Sequence, residues 1–138
     1  MSINTWAGGK KKKGTNDNFS TPESTTETIL QYIPCHVKTI WECAAGNGAI
    51  SKVLRLHGYK VIESDVTENF LEFEPSEEYD LILTNTPFSL KNEFLTRAYE
   101  LKKPFIFLLP LGTLETQKRG KLFRDHGISV IVLDRRTE

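Results

Sequence analysis

The chain has 138 residues, and its 18 basic and 18 acidic side chains give a formal net charge of zero. This length predicts one domain that buries about two thirds of the surface of its unfolded chain, with no second domain and no need for disulfide bonds or a metal ion to fold. No apolar run approaches the roughly 20 residues that span a bilayer, and the amino terminus lacks the apolar core of a signal peptide, so we expect a soluble, cytoplasmic protein without a membrane partner.

Charge is distributed unevenly along the chain. Residues 1–20 contain four lysines against one aspartate, and residues 1–18 hold too few apolar side chains to offset the entropy lost on ordering. We expect these residues to form a flexible basic tail, followed by one domain over residues 19–138. Between residues 118 and 136, six Lys or Arg accompany two Asp, which indicates either a basic patch or an ordinary solvated surface.

The two cysteines, Cys35 and Cys43, have neither the spacing of a zinc site nor that of a redox pair. We interpret both as reduced side chains with structural roles, as expected in the cytosol. The sequence predicts no metal site.

Hydrophobic periodicity and helix signals predict alternating strands and helices. A helix begins at Pro22, behind a capping hydroxyl of Ser20 or Thr21, and ends before Pro34. Strands are predicted over residues 38–43, 59–64, 80–84, 104–109 and 128–133, with helices over residues 49–57, 90–101 and 114–125. Gly58 ends the second helix and Ser89 caps the third. Strand, glycine loop, helix and strand form a βαβ unit, so the predicted class is α/β, with a Rossmann-like doubly wound, mostly parallel sheet.

The loop after the first predicted strand contains Gly46 and Gly48, which permit positive φ and a close approach of a ligand to the backbone. Asp65 follows Gly48 by 17 residues, at the end of the second predicted strand, where a carboxylate can accept hydrogen bonds from both ribose hydroxyls. A dinucleotide-binding loop would have a third glycine at position 51, where this chain has Ser51, so NAD is disfavoured as the ligand. Glu42 would repel phosphate but orient an ammonium group. A ribose and an amino acid without phosphate describe S-adenosylmethionine.

In this order, the residues resemble the class I S-adenosylmethionine-dependent methyltransferases, and more narrowly the adenine-specific amino-methyltransferases of phages and restriction systems. The resemblance covers roughly residues 17–134. Residues 17–22 are similar to the family's amino-terminal cofactor motif, residues 42–48 to its glycine motif, and residues 69–70 to its adenine-binding turn, with Asn69 where aspartate is usual. A phage origin, and so the cytoplasm of a host cell, is implied by the resemblance alone. The cofactor-binding residues that it implies are Phe19, Thr21, Glu42, Ala44, Gly46, Gly48, Asp65, Asn69 and Phe70.

Residues 85–88 read Asn-Thr-Pro-Phe and resemble the family's catalytic Asn/Asp-Pro-Pro-Tyr/Phe segment. The Asn85 side-chain oxygen and the Thr86 carbonyl can each accept one amine hydrogen, while Phe88 stacks on the base and Pro87 keeps Thr86 extended. Thr86 departs from the family's first proline and adds an N–H donor, which predicts weakened or lost activity. As an alternative, the segment is an ordinary turn that caps a helix.

A base inside duplex DNA must be flipped out to reach such a pocket. For phosphate contacts the sequence offers the tail and the basic residues of the last predicted helix, Lys118, Arg119, Lys121 and Arg124. We therefore predict methyl transfer to an exocyclic amine of adenine in DNA, with a partner needed for sequence specificity. The alternatives are transfer to RNA or to a protein amide, and a shortened, non-catalytic module that binds the cofactor or nucleic acid.

Family members usually follow the strand that corresponds to residues 128–133 with a final antiparallel strand. The sequence ends at Glu138, so the resemblance implies a sheet without that strand. We expect a shortened relative, a fragment, or one subunit of an oligomer in which a partner closes the sheet.

Overall fold

A computed structural model describes residues 21–65 and 69–133. The tail predicted over residues 1–18 lies outside these ranges, as does Phe19. The described elements alternate between helix and strand. In chain order they are α1 (Glu23–Leu30), β1 (Thr39–Glu42), α2 (Ala49–Leu56), β2 (Lys60–Glu63), β3 (Leu81–Asn85), α3 (Lys91–Leu101), β4 (Phe105–Leu108) and α4 (Gln117–His126), with 3₁₀ turns at Phe88–Leu90 and Leu111–Glu115.

The described strands form one parallel sheet in the order β2-β1-β3-β4, which confirms the predicted α/β class and parallel pairing. Trp41 at the centre of the sheet is in register with Ile62 of β2 on one side and with Ile82 of β3 on the other. The chain leaves β1 toward β2 but leaves β3 toward β4, on the opposite side. The strand order therefore reverses between β1 and β3, and ligands of doubly wound sheets bind beyond the carboxyl ends at such a point.

Two buried clusters cover the two faces of the sheet. The face toward α1 and α2 carries Ile29, Ile33, Ile40, Ile50, Leu54, Leu81 and Leu83. The face toward α3 carries Trp41, Phe70, Ile82, Phe94 and Ala98. Because side chains alternate along a strand, Glu42 lies on the same face as Ile40, and Asn85 on the same face as Leu83. Both polar residues therefore leave the sheet on the side of α1 and α2.

The predicted final strand is wrong. Residues 128–133 follow α4 without forming a strand in the described part of the chain, although their β-branched side chains favour extended structure. A strand needs a hydrogen-bonded neighbour, and residues 128–133 have none of the described strands beside them. The preceding helix also begins later than predicted, at Gln117, where the Thr116 side chain accepts a hydrogen bond from the Arg119 N–H.

The predicted N-terminal caps of α1 and α3 are wrong as well. Pro22 itself occupies the N-cap position of α1 and makes no side-chain capping bond. Leu90, rather than Ser89, precedes α3, because residues 88–90 form a 3₁₀ turn first. The Thr21 hydroxyl instead accepts a hydrogen bond from the Asn85 side chain. Within the described residues, no helix is long and apolar enough to cross a membrane.

Candidate functional site

The loop after β1 is built by the main chain. The Ala45 N–H donates to the Ser64 carbonyl, and the Ser64 N–H donates to the Glu42 carbonyl, both at 3.0 Å, so the pairing of β1 with β2 extends past both strands. Gly46 and Gly48 have φ angles of 56° and 82°, which other residues rarely adopt. Among the described residues, a Cβ atom on Gly46 would meet nothing within 4 Å. The loop therefore leaves open space over its backbone.

A buried carboxylate lies beneath this loop. Glu42 is 1% exposed, and its Oε1 accepts a hydrogen bond from the Ala44 N–H at 2.9 Å. Burial is the main reason that the pKa of Glu42 rises to about 7, and the nearby Glu63 and Asp65 carboxylates add to the rise. The nearby Thr84 hydroxyl lowers the pKa of Glu42 and so opposes this rise. That hydroxyl makes no hydrogen bond of ordinary geometry with the described residues. Glu42 is thus balanced between its neutral and charged forms near pH 7, and a cationic ligand would favour the carboxylate.

Three acids converge at the carboxyl ends of β1 and β2. Asp65 is half-buried and close enough to Glu42 to raise its pKa. Glu63 pairs in register with Glu42, and its Oε2 lies 3.5 Å from the position of a Cβ on Gly48. Sequence reasoning missed Glu63, although a parallel register of β1 with β2 would have indicated it. Such a site disfavours phosphate and suits ligands that present hydroxyl or ammonium groups.

The neighbouring strand supplies an oriented amide. Asn85 ends β3 and is half-buried, and its Nδ2 donates to the Thr21 Oγ1 at 3.1 Å. Thr21 is 6% exposed and lies just before α1, on the face of the sheet that also holds Glu42. With Nδ2 engaged, Oδ1 is the atom of the Asn85 amide that can accept a hydrogen bond from a ligand. The structure thus brings together two predicted site residues that are 64 positions apart.

Thr86 uses its main-chain donor inside the sheet. Its N–H donates to the Leu108 carbonyl on β4 at 3.3 Å, and the residue is 1% exposed. This donor, which a proline would lack, is therefore directed into the sheet and away from any substrate amine. Pro87 follows in an extended conformation, with φ of −58° and ψ of 125°, and the half-buried Phe88 begins the 3₁₀ turn.

The predicted adenine-binding turn is divided between surface and core. Asn69 is exposed and has a φ of 48°, and its Oδ1 accepts a hydrogen bond from the Leu71 N–H at 3.2 Å. Phe70 is 2% exposed, and its ring centroid lies 4.6 Å from that of Phe94 and 5.3 Å from that of Trp41. The Phe70 ring therefore packs in the core of the described structure, and its contact with a ligand stays a prediction. Asn69 remains at the surface.

Arg119 has a structural role that the sequence did not predict. It is 6% exposed, and its Nε donates to the Thr113 carbonyl at 2.5 Å while a terminal nitrogen donates to the Asn92 Oδ1 at 2.8 Å. A second terminal nitrogen donates to the Gly112 carbonyl at 3.4 Å. Arg119 therefore joins α4 to α3 and to the turn after β4, and the structure places this predicted phosphate contact in a buried hydrogen-bonded position.

The remaining basic residues of α4 lie on its surface. Lys121 forms an exposed ion pair with Asp125 one turn later, at 2.8 Å, which contributes little stability in water. Lys118 and Arg124 are exposed. Three of the four predicted phosphate contacts are thus accessible, and the fourth is buried.

The two cysteines are free, Cys35 exposed and Cys43 buried, and burial is the main cause that raises the pKa of the Cys43 thiol. Such a thiol is a poor nucleophile. In residues 21–65 and 69–133, no group of three or more His, Cys, Asp or Glu side chains is placed to hold a metal ion. No protein-family model matches the chain, and no curated protein has a significantly similar sequence.

Proposed function

We propose that this chain binds S-adenosylmethionine and transfers its methyl group to an exocyclic amine of adenine in DNA. One observation carries the proposal. Glu42 and Asn85 end adjacent parallel strands, on the same face of the sheet, at the point where the strand order reverses. A site for a cationic amino acid group therefore lies next to a site for an amine acceptor, as a transfer between the two molecules requires.

The residues on the cofactor side fit this molecule chemically. Positive φ at Gly46 and the open space above it leave room for a nucleoside against the backbone. The Asp65 carboxylate can accept hydrogen bonds from the ribose hydroxyls, and Glu42 can attract the ammonium group, directly or through water. The absence of phosphate from S-adenosylmethionine suits a site where three carboxylates converge.

On the acceptor side, the chain has to orient an amine rather than ionise it. When bound, S-adenosylmethionine supplies an electrophilic methyl group on a sulfonium. Asn85 Oδ1 and the Thr86 carbonyl accept the two amine hydrogens and so favour a pyramidal nitrogen with its lone pair directed at that methyl. Phe88 offers a partly exposed ring for stacking on the base. The methylated ammonium loses its proton to water, so no general base is needed.

Calorimetric titration with S-adenosylmethionine tests the cofactor half of the proposal. We expect saturable binding that Asp65→Ala weakens by roughly 10- to 100-fold, the effect of losing one or two hydrogen bonds to a charged acceptor. Glu78→Ala removes an exposed acid outside the site and should leave the affinity unchanged. Equal affinities for the two variants would count against Asp65 as the ribose ligand, and no binding by the unmodified chain would end the proposal.

Methyl transfer is tested with radiolabelled cofactor and unmethylated DNA. We expect label in DNA, recovered as N6-methyladenine after digestion to nucleosides, and none in a duplex of guanine and cytosine only. The same assay with RNA and with protein distinguishes the other amine and amide acceptors. Cofactor binding without label in any acceptor would replace the proposal by a second candidate.

That second candidate is a non-catalytic module that binds the cofactor or nucleic acid. The burial of Arg119 favours it, because one of four expected phosphate contacts is used to stabilise the fold. The remaining cations, Lys118, Lys121 and Arg124, support weak electrostatic binding of nucleic acid without sequence readout.

A further inference from the structure

The two edges of the described sheet differ in how they are protected against further strand pairing. β2, at one edge, begins with Lys60 and ends with Glu63, and these residues form ion pairs with Glu77 and Arg55. Charged side chains on an edge strand discourage the addition of another strand. β4, at the other edge, reads Phe-Ile-Phe-Leu, with all four residues only half-buried. The β4 edge therefore has neither charge nor full burial to protect it.

The same chain carries an apolar segment that lacks a strand partner among the described residues. Residues 128–133 contain no charged side chain. Ile128, Val130, Ile131 and Val132 are 48%, 51%, 40% and 72% exposed. β-branched residues in a row favour an extended strand, and six residues are enough to cover the four of β4. One molecule thus contains both a half-buried edge strand, β4, and an exposed segment that favours strand formation, residues 128–133.

Tyr99 fixes the start of this segment beside α3. Its hydroxyl donates to the Gly127 carbonyl at 2.8 Å, while its ring stacks on His126 and meets the edge of Phe105, with centroid distances of 4.7 and 5.0 Å. The aromatic ring lies between the first residue of β4 and the end of α4. Residues 128–133 therefore begin beside α3, and they form no strand with their own β4 in the described sheet.

We propose that residues 128–133 of one copy add as a strand to the β4 edge of a second copy, and that the second copy returns the same contact. Reciprocal exchange of one segment gives a closed two-fold dimer, in which each sheet gains a strand and both apolar segments are covered. The formal net charge of zero means that no overall repulsion opposes association of two copies. This interface does not depend on methyl transfer.

Sedimentation of the full chain over a range of concentrations tests the dimer. We expect the mass to rise toward twice 15.7 kDa with increasing concentration. Val130→Lys, which adds a charge to the exchanged segment, should raise the dissociation constant at least 10-fold. Leu56→Lys is the matched control, since Leu56 is 73% exposed on α2 and lies outside the interface, and it should leave the mass unchanged. Circular dichroism checks that both variants fold.

Hydrogen exchange separates the proposed contact from other ways of covering β4. In the dimer, amides of β4 and of residues 128–133 should both be protected, and Val130→Lys should expose both. A monomer at all concentrations overturns the proposal, whether or not β4 is protected by its own chain. A dimer that Val130→Lys leaves intact overturns it as well.

Discussion

The two loops at the reversal of strand order are held by different kinds of contact. The loop after β1 is fixed by neighbouring main chain, through Ala45 and Ser64, and by glycines with positive φ. The segment after β3 is fixed from a distance: the Asn85 amide donates to Thr21, and the Thr86 N–H donates to β4. The glycines of the first loop are a local signal in the sequence, whereas the orientation of Asn85 in the second depends on Thr21, 64 positions away.

This difference separates the expected roles of the loops. The β1 loop offers backbone space and carboxylates, which suit a ligand that is held. The β3 segment offers one amide oxygen whose direction is set by a tertiary hydrogen bond, which suits an atom that must be aligned during reaction. Substitutions in the first should change binding and stability, and those in the second should change turnover.

Asn85→Ala should have the largest effect on activity, and it tests most directly whether the two loops have separate roles. Removal of one positioned acceptor is expected to lower kcat for methyl transfer about 10²- to 10³-fold, with the Kd for S-adenosylmethionine unchanged. Asn85→Asp keeps an acceptor at the same position and should retain more activity than the alanine variant. A parallel loss of cofactor affinity in Asn85→Ala would show that the two loops do not act separately.

Glu42→Gln tests the first loop through stability. The buried Glu42 has a pKa of about 7 in the folded chain against a usual value of 4.5, so the fold prefers its protonated form. As pH rises from about 4.5 to 7, the unfolded chain loses this proton more readily than the folded chain, and the free energy of unfolding falls. Glutamine removes this dependence, which we expect to stabilise the variant at pH 8 by on the order of 3 kcal/mol.

Urea denaturation at pH 4.5 and pH 8 measures this effect. At pH 4.5 the two chains should have nearly equal free energies of unfolding, because Glu42 is protonated when folded. Glu78→Gln, at an exposed site, is the matched control for the loss of one carboxylate. An advantage of Glu42→Gln that is the same at both pH values would mean that burial of the charge is not its cause.

Features that depend on local chemistry were predictable from the sequence. Gly58 adopts a φ of 94° just after α2, as expected of a residue that ends a helix. Gly46 and Gly48 also have positive φ, and the apolar runs of β1 to β4 form the predicted parallel strands. In each case a few neighbouring residues determine the conformation, so their pattern is enough to indicate it.

Features that depend on a distant partner were not predictable. Arg119 has the same charge as its neighbours on α4, but the Asn92 side chain and two carbonyls make it a buried donor. The Thr21 hydroxyl was expected to cap α1 and instead accepts a hydrogen bond from Asn85. Strand propensity at residues 128–133 produced no strand, because pairing depends on a neighbour as well as on propensity.

Thr21→Val should have an intermediate effect on kcat, because it removes the hydrogen bond that orients Asn85 in the second loop. Valine keeps the shape of threonine but cannot accept the Asn85 hydrogen bond, so the amide is free to rotate. We expect kcat to fall about 10-fold, roughly the worth of one hydrogen bond, and Thr21→Ser to restore it. The Asn85 side-chain amide signals in nitrogen-15 NMR should shift in the valine variant and return in the serine variant. Unmoved signals would remove Thr21 as the positioning residue, whatever the activity.

Thr86→Pro should have the smallest effect, because the donor it removes faces β4 and not the substrate. Loss of the 3.3 Å hydrogen bond to Leu108 should lower the free energy of unfolding by about 1 kcal/mol, with little change in kcat. Thr86→Val is the matched control: it keeps the N–H but removes a buried hydroxyl that has no hydrogen bond within the described residues, so it should be as stable as the parent chain or slightly more so. If proline instead raised kcat severalfold, the Thr86 N–H would have to reach the substrate. The second loop would then be set by its own sequence rather than by its distant partners.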